Sequence, residues 1–178
     1  MVKLKPKQKE QIEKQIKAYE SKTSTELIKI PIGSDELDLE VDPYVANPNI
    51  MNSGIQLVNY LFEHPELVKD KIVTDMGTGC GIIGIAAAKM GAKKVFMIDI
   101  DAKAVKNAQR NVERHKVGNI CTIITSDLFK NINEDTKSHT HIFNHPFFAG
   151  EPIKGKEWTK VMLGLSLIHI SEPTRPSS

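Results

Sequence analysis

One stretch of the chain limits what it can fold into more than any other: Ile72-Val-Thr-Asp-Met-Gly-Thr-Gly-Cys-Gly-Ile-Ile-Gly-Ile-Ala86. It reads as a short apolar strand, an acidic strand end, a glycine-rich turn and the opening of a small-residue helix. A strand, glycine loop and helix in that order bring backbone N–H groups and a helix N-terminus up to a nucleotide-like ligand. Gly77, Gly79 and Gly81 let the backbone approach such a ligand without a Cβ in the way.

The surrounding pattern extends this unit into a domain. Ser53 is placed to cap a helix running to about Glu63, with Ile55, Leu57, Val58, Leu61 and Phe62 on an apolar face. After the loop, a helix over Ile82–Met90 is stopped by Gly91 as its C′ residue. Val95–Ile98 is a strand, and Ala102–Arg114 a helix with Val105, Ala108 and Val112 inward. Ile120–Thr125 and Thr140–Phe143 are further strands. Strand and helix alternate from about residue 55 to 144. The expected fold is therefore α/β, doubly wound, with a mainly parallel sheet, helices on both faces and the loop strand in the middle.

Upstream, Thr25–Ile32 and Leu37–Val41 flank the turn cluster Gly33-Ser-Asp-Glu36 and suggest a β-hairpin, beside the main sheet or as a small lobe. A linker with Pro43 and Pro48 follows, expected to be extended or turning. The Lys-rich segment 6–20 reads as a thinly amphipathic helix, interrupted by Glu10, Glu13 and Glu20. A solvated helix is favoured there over a nucleic-acid-binding arm.

Composition closes off some classes. The 178 residues are 40% hydrophobic and 26% charged, with a formal net charge of +2, so no dominant electrostatic partner is implied. Cys80 and Cys121 make neither a disulfide framework nor a metal spacing, which suits a reducing compartment. No apolar run approaches the roughly 18 residues needed to span a bilayer, and the N-terminus lacks a signal-peptide core. The expectation is cytoplasmic, with no membrane association and no metal.

The glycines alone leave two cofactors open, because Gly79-x-Gly81-x-x-Gly84 also satisfies the dinucleotide fingerprint. Asp75 argues against NAD or a flavin. A carboxylate at the strand end repels pyrophosphate and attracts a cation such as the ammonium or sulfonium of S-adenosylmethionine. The turn Asp-x-Gly-x-Gly-x-Gly is also one step longer, with room to wrap an amino-acid moiety. Asp99 ends the next strand about 20 residues past the glycines, where an acid accepts hydrogen bonds from ribose hydroxyls. Asp101 is assigned instead to the N-cap of the helix that begins at Ala102. Asp127, after the third strand, is placed to accept from an adenine amino group, with helix capping as its structural alternative. Leu128 or Phe129 could pack on the ring.

These three segments, Asp75-Met-Gly-Thr-Gly-Cys-Gly81, Ile98-Asp-Ile-Asp101 and Ser126-Asp-Leu-Phe129, together resemble class I S-adenosylmethionine-dependent methyltransferases over roughly residues 44–150. Within that class the chain looks most like the small-domain enzymes that methylate amide or amino nitrogens. Those end their fourth strand in Asn/Asp-Pro-Pro-aromatic, and the matching stretch here is Asn144-His-Pro-Phe147. The resemblance implies Asn144, Pro146 and Phe147 as catalytic residues, and Asp75, Gly77, Thr78, Gly79, Gly81, Asp99, Asp127 and Leu128 as cofactor-binding ones. It also implies a protein glutamine or nucleic-acid base as methyl acceptor, ribosomal or translation-related.

The motif suits the chemistry. Amide and exocyclic amino nitrogens are poor nucleophiles, and an Asn oxygen with a neighbouring carbonyl can hold their N–H bonds and aim the lone pair. His145 departs from the family, which has a proline there; it is read as a polar loop residue rather than a general base.

Tyr44, Pro48, Asn52 and Ser53 loosely resemble the segment that closes over the cofactor in these enzymes, and a plain linker suits them equally. Trp158, among Lys154, Lys156 and Lys160, could touch nucleic acid or simply be solvated. Finally, residues 165–178 resemble the translated read-through of a synthetic sequencing adapter. The expected organisation is an N-terminal extension over 1–43, a partial, C-terminally truncated methyltransferase domain over 44–164, and a non-native tail. A fragmentary cofactor-binding module is the alternative to an enzyme, and an NAD-dependent oxidoreductase a more distant one.

Overall fold

The computed structural model describes residues 10, 13–14, 17–18, 20–33, 35–132 and 138–144. Strand and helix alternate through most of this span because short apolar runs, buried on both faces of a parallel sheet, are separated by longer helix-forming stretches. Four parallel strands form the sheet: β3 (Ile72–Met76), β4 (Lys94–Asp99), β5 (Cys121–Thr125) and β6 (Thr140–Phe143), in the order β5-β4-β3-β6. β1 (Glu26–Ile32) and β2 (Asp35–Val41) make the expected hairpin, antiparallel, with Ile30 opposite Leu37.

β3 lies inside the sheet, paired with β4 on one side and β6 on the other. The chain steps outward from β3 to β4 to β5, then returns to the far side of β3. Right-handed crossovers therefore place α2 (Ile82–Lys89) and α3 (Ala102–Arg114) on the same face. The β5–β6 connection crosses back the other way without a described helix. Of the two helical faces expected, the described residues supply one. The reversal between β3 and β6 is a topological switch point, and ligands of open α/β sheets bind at the C-terminal strand ends there.

α1 (Ser53–Glu63) begins one residue earlier than a Ser53 cap requires. Asn52 holds the cap position in left-handed backbone (φ 39°), and its side chain makes no capping bond. The linker before it turns, one of the two forms expected from its prolines. Pro48–Met51 forms one helical turn, capped by the Asn47 side chain accepting from the Asn49 N–H at 2.9 Å. Proline is tolerated at the first helical position, where its missing N–H has no intrahelical partner anyway.

α2 is buried almost all round, from Ile82 to Ala88. Gly84 makes its close seat possible: a Cβ there would come within 2.6 Å of Met97 Cγ on β4. Gly91 ends that helix region in left-handed backbone (φ 92°), as expected.

The hairpin is a separate two-stranded sheet, and it lies over the helices rather than along the main sheet. Ile28, Ile30, Ile32, Leu37, Leu39 and Val41 face one way into the core shared with Val58, Leu61, Ile85 and Val112. Leu27 alternates outward and is exposed, as period two requires. Two apolar assignments on helices are corrected as well. Val105 is only half-buried, while Ala104, Asn107 and Asn111 are buried instead. Phe62 leaves half its surface exposed because its ring covers the hairpin turn, where a Cβ on Gly33 would sit 2.2 Å from Phe62 Cζ.

Candidate active site

Parallel pairing brings four strand exits to one edge, so Gly77, Ile100, Ser126 and Asn144 follow directly from neighbouring strands. The glycine loop is tied to that edge by its own backbone. Gly77 and Thr78 donate their N–H groups to Ile98 O at 2.8 and 2.9 Å, and Gly81 N–H donates to Thr78 O at 2.8 Å. Gly77, Gly79 and Gly81 all have φ between 57° and 92°, a region that side chains with a Cβ seldom enter. At Gly79 a Cβ would meet nothing within 4 Å. The loop thus presents open backbone at the switch point.

Asp75 is fully buried. Its Oδ2 accepts from Thr78 Oγ1 at 2.6 Å and from the Gly84 N–H at 3.0 Å, while Oδ1 has no protein partner. Burial pushes its pKa from 3.8 up to about 6, against the two hydrogen bonds that favour the charged form. Asp75 and the buried Thr78 therefore brace the loop from beneath.

Asp99 stands at the end of β4. Its Oδ2 accepts from the Gly79 N–H at 2.9 Å and its Oδ1 from the Asp101 N–H at 3.0 Å. Burial raises its pKa, opposed by the backbone donors of Asp101 and Gly79. A carboxylate has about four lone-pair sites, so two remain for hydroxyl donors. Asp101 is the N-cap of α3, accepting from the Lys103 N–H at 2.9 Å, as expected.

Residues 126–132 turn without forming a helix, so Asp127 does not cap one there. Its carboxylate pairs with Lys130 Nζ. Leu128 has φ 53° and is half exposed. Phe129 meets His141 edge-on, with ring centroids 5.8 Å apart. Ile100, beyond Asp99, is 58% exposed and Leu128 52%. Two large apolar side chains in water at neighbouring strand exits form a surface for a flat apolar group. Sequence reasoning passed over Ile100, although an apolar residue between two strand-end acids is a visible signal.

Asn144 leaves β6 half-buried and meets two helix starts. A Cβ on Gly54 would lie 3.5 Å from Asn144 Nδ2 and 3.4 Å from Ile82 Cγ2, so α1, α2 and the β6 exit converge. Tyr44 lies beside the opening turn of α3, its ring 5.4 Å from Lys103 Nζ. Pro146 and Phe147, with His145 and Trp158, lie outside the described residues.

Cys80 and Cys121 are buried, and burial pushes both thiols up to about 12, which makes them inert packing groups. His139 accepts from the Ile72 N–H, and His115 contacts Asp38 O. Among the described residues no three or more His, Cys, Asp or Glu side chains are grouped to hold a metal. No described helix is long and apolar enough to cross a membrane.

Comparison with known proteins matches the same segment. A family model described as Ribosomal protein L11 methyltransferase (PrmA) aligns with residues 54–141. The Ribosomal protein L11 methyltransferase of Anoxybacillus flavithermus is 36% identical over 105 residues, 58% of this chain and 33% of that protein. The protein of the same description from Exiguobacterium sibiricum is 39% identical over 105 residues, 56% of this chain and 31% of its own. The chain thus spans about a third of the length of these relatives.

Among solved structures, the T. thermophilus 16S rRNA N2 G1207 methyltransferase, in complex with AdoMet and guanosine, superposes with a TM-score of 0.62. It is 21% identical and covers 79% of this chain and 38% of its own. At that identity the likeness is one of fold.

Proposed function

We propose that the chain is a class I S-adenosylmethionine-dependent methyltransferase that binds S-adenosylmethionine at the β3–β6 switch point and methylates a nitrogen. The observation that carries this is the meeting, at one sheet edge, of an open glycine loop and Asn144. The residues present suit the cofactor. Gly79 leaves its space empty, Asp99 keeps lone pairs for the ribose, and Ile100 and Leu128 offer apolar faces to the adenine. Asp75, charged above pH about 6, favours the cationic amino-acid end. When bound, the cofactor supplies an electrophilic methyl on a sulfonium.

The protein's own part is positional. Asn144 Oδ1 accepts an N–H of the acceptor nitrogen, turning its lone pair toward the methyl. The nitrogen becomes cationic as it gains the methyl, so its proton can leave to water afterwards without a strong base. A ribosomal protein is the favoured acceptor, because relatives 36–39% identical across the loop carry that description.

Calorimetric titration with S-adenosylhomocysteine and with NAD in parallel tests the site. Binding of the first and not the second is expected, and the reverse would refute it. Labelled S-adenosylmethionine offered with ribosomal proteins, ribosomal RNA and DNA tests the acceptor. Asn144→Ala should lower transfer by a hundredfold or so, and an Asn144→Ala variant as active as wild type would remove Asn144 from catalysis.

A further inference from the structure

We propose that Asn111 is a positioning residue that makes the shape of the glycine loop depend on the docking of the β1–β2 hairpin. Asn111 lies in α3 and is fully buried. Its Oδ1 accepts from the Glu40 N–H at 2.8 Å, and its Nδ2 donates to Glu40 O at 2.7 Å and to Cys80 O at 2.8 Å. One amide therefore holds the outer edge of β2 and the carbonyl between Gly79 and Gly81.

The edge contact follows from matched periods. One turn earlier, Asn107 Oδ1 accepts from the Asp42 N–H at 2.9 Å and its Nδ2 donates to Glu40 O at 2.8 Å. Residues four apart on a helix rise about 6 Å, and residues two apart on a strand about 6.6 Å. Two asparagines can thus stand in for a third strand along an otherwise open edge. Arg110 and Arg114 reinforce it from outside, pairing with Glu40 and Asp42.

Only Asn111 reaches on to the loop. Asp99 holds the Gly79 N–H from β4, and Asn111 holds the Cys80 carbonyl from α3, so the loop is pinned on both sides of the Gly79–Cys80 peptide. If the hairpin lifts away, Asn111 loses the two Glu40 bonds that orient its amide, and a buried Cys80 carbonyl loses its donor. An unsatisfied buried acceptor is costly enough to shift a local opening equilibrium about tenfold or more. The coupling is a property of the fold, while its effect on cofactor affinity rests on the methyl-donor site proposed above.

Hydrogen exchange on the full chain tests the coupling directly. Asn111→Ala should speed exchange in residues 77–85 about tenfold, notably at the Gly81 and Ile85 amides. Asn107→Ala should open residues 35–42 and, through Asn111, speed the loop to a smaller degree. The double variant should exchange in the loop no faster than Asn111→Ala alone.

Should Asn111→Ala not fold, the near-isosteric Asn111→Asp keeps the acceptor for Glu40 N–H, removes the donor shared by Glu40 O and Cys80 O, and should speed the loop likewise. Loop exchange at the wild-type rate in the Asn111 variant, or in Asn107→Ala despite an opened hairpin, overturns the proposal. In the same proteins S-adenosylhomocysteine should bind about tenfold more weakly to Asn111→Ala. A wild-type chain that bound none would defeat the methyl-donor site and leave the exchange result to decide the coupling.

Discussion

At Asp75 a carboxylate sits with no exposed surface, two donors on one oxygen and none on the other. Its folded pKa of about 6 stands above the ordinary 3.8, which has a definite consequence for stability. Below about pH 4 the group is protonated in both folded and unfolded chains and adds no cost. Between about pH 4 and 6 the unfolded chain releases the proton and the folded one keeps it, so this group's contribution falls as pH rises. Above about 6 both are ionised and the cost is constant. Asp75→Asn should therefore differ from wild type by an amount that changes across pH 4–6 and levels off above it. Urea titrations at several pH values would read this, and parallel stability curves would count against it.

At the level of elements, α3 does three things with three sets of residues. Asp101 caps its first turn, Ala104, Ala108 and Val112 face the core, and Asn107 and Asn111 hold β2. The cap is the most local of these. Asp101→Ala should cost about 1 kcal/mol of unfolding free energy, measured by chemical denaturation, and a cost indistinguishable from zero would mean the Lys103 N–H bond carries no weight. The opening of α2 follows a different logic. Gly81 at its N-cap has φ 92°, with Met97 Cε only 2.9 Å from where a Cβ would be. A larger residue there is strained by the left-handed backbone and has to displace the end of the Met97 side chain.

Over the whole molecule, hairpin and sheet domain share one core although they are separate sheets. Leu39 is fully buried in it from the hairpin side. Leu39→Ala should cost about 2–5 kcal/mol and should lower the stability of hairpin and sheet together. Hydrogen exchange resolved by segment would show whether residues 26–41 and 72–99 lose protection by the same amount. Loss confined to the hairpin would make it an independent unit.

Much of this was legible in the chain itself, wherever the cause is local. The spans Ala102–Arg114 and Thr140–Phe143, the Asp101 cap, the Gly91 stop and the strand–loop–helix over 72–86 follow from periodicity and from bonds between residues a few positions apart. The tertiary structure alone decided the rest. Asp99 meets Gly79 across 20 residues, Asn111 meets Cys80 across 31 and Glu40 across 71. An asparagine on an amphipathic helix gives no sign that its partner is the edge of a distant strand. Burial, too, is set by what packs around a group: it made the strand-end Asp75 a brace with a raised pKa, and left Ile100 in water. The sequence determined that a glycine loop would form, and the fold decided what holds it.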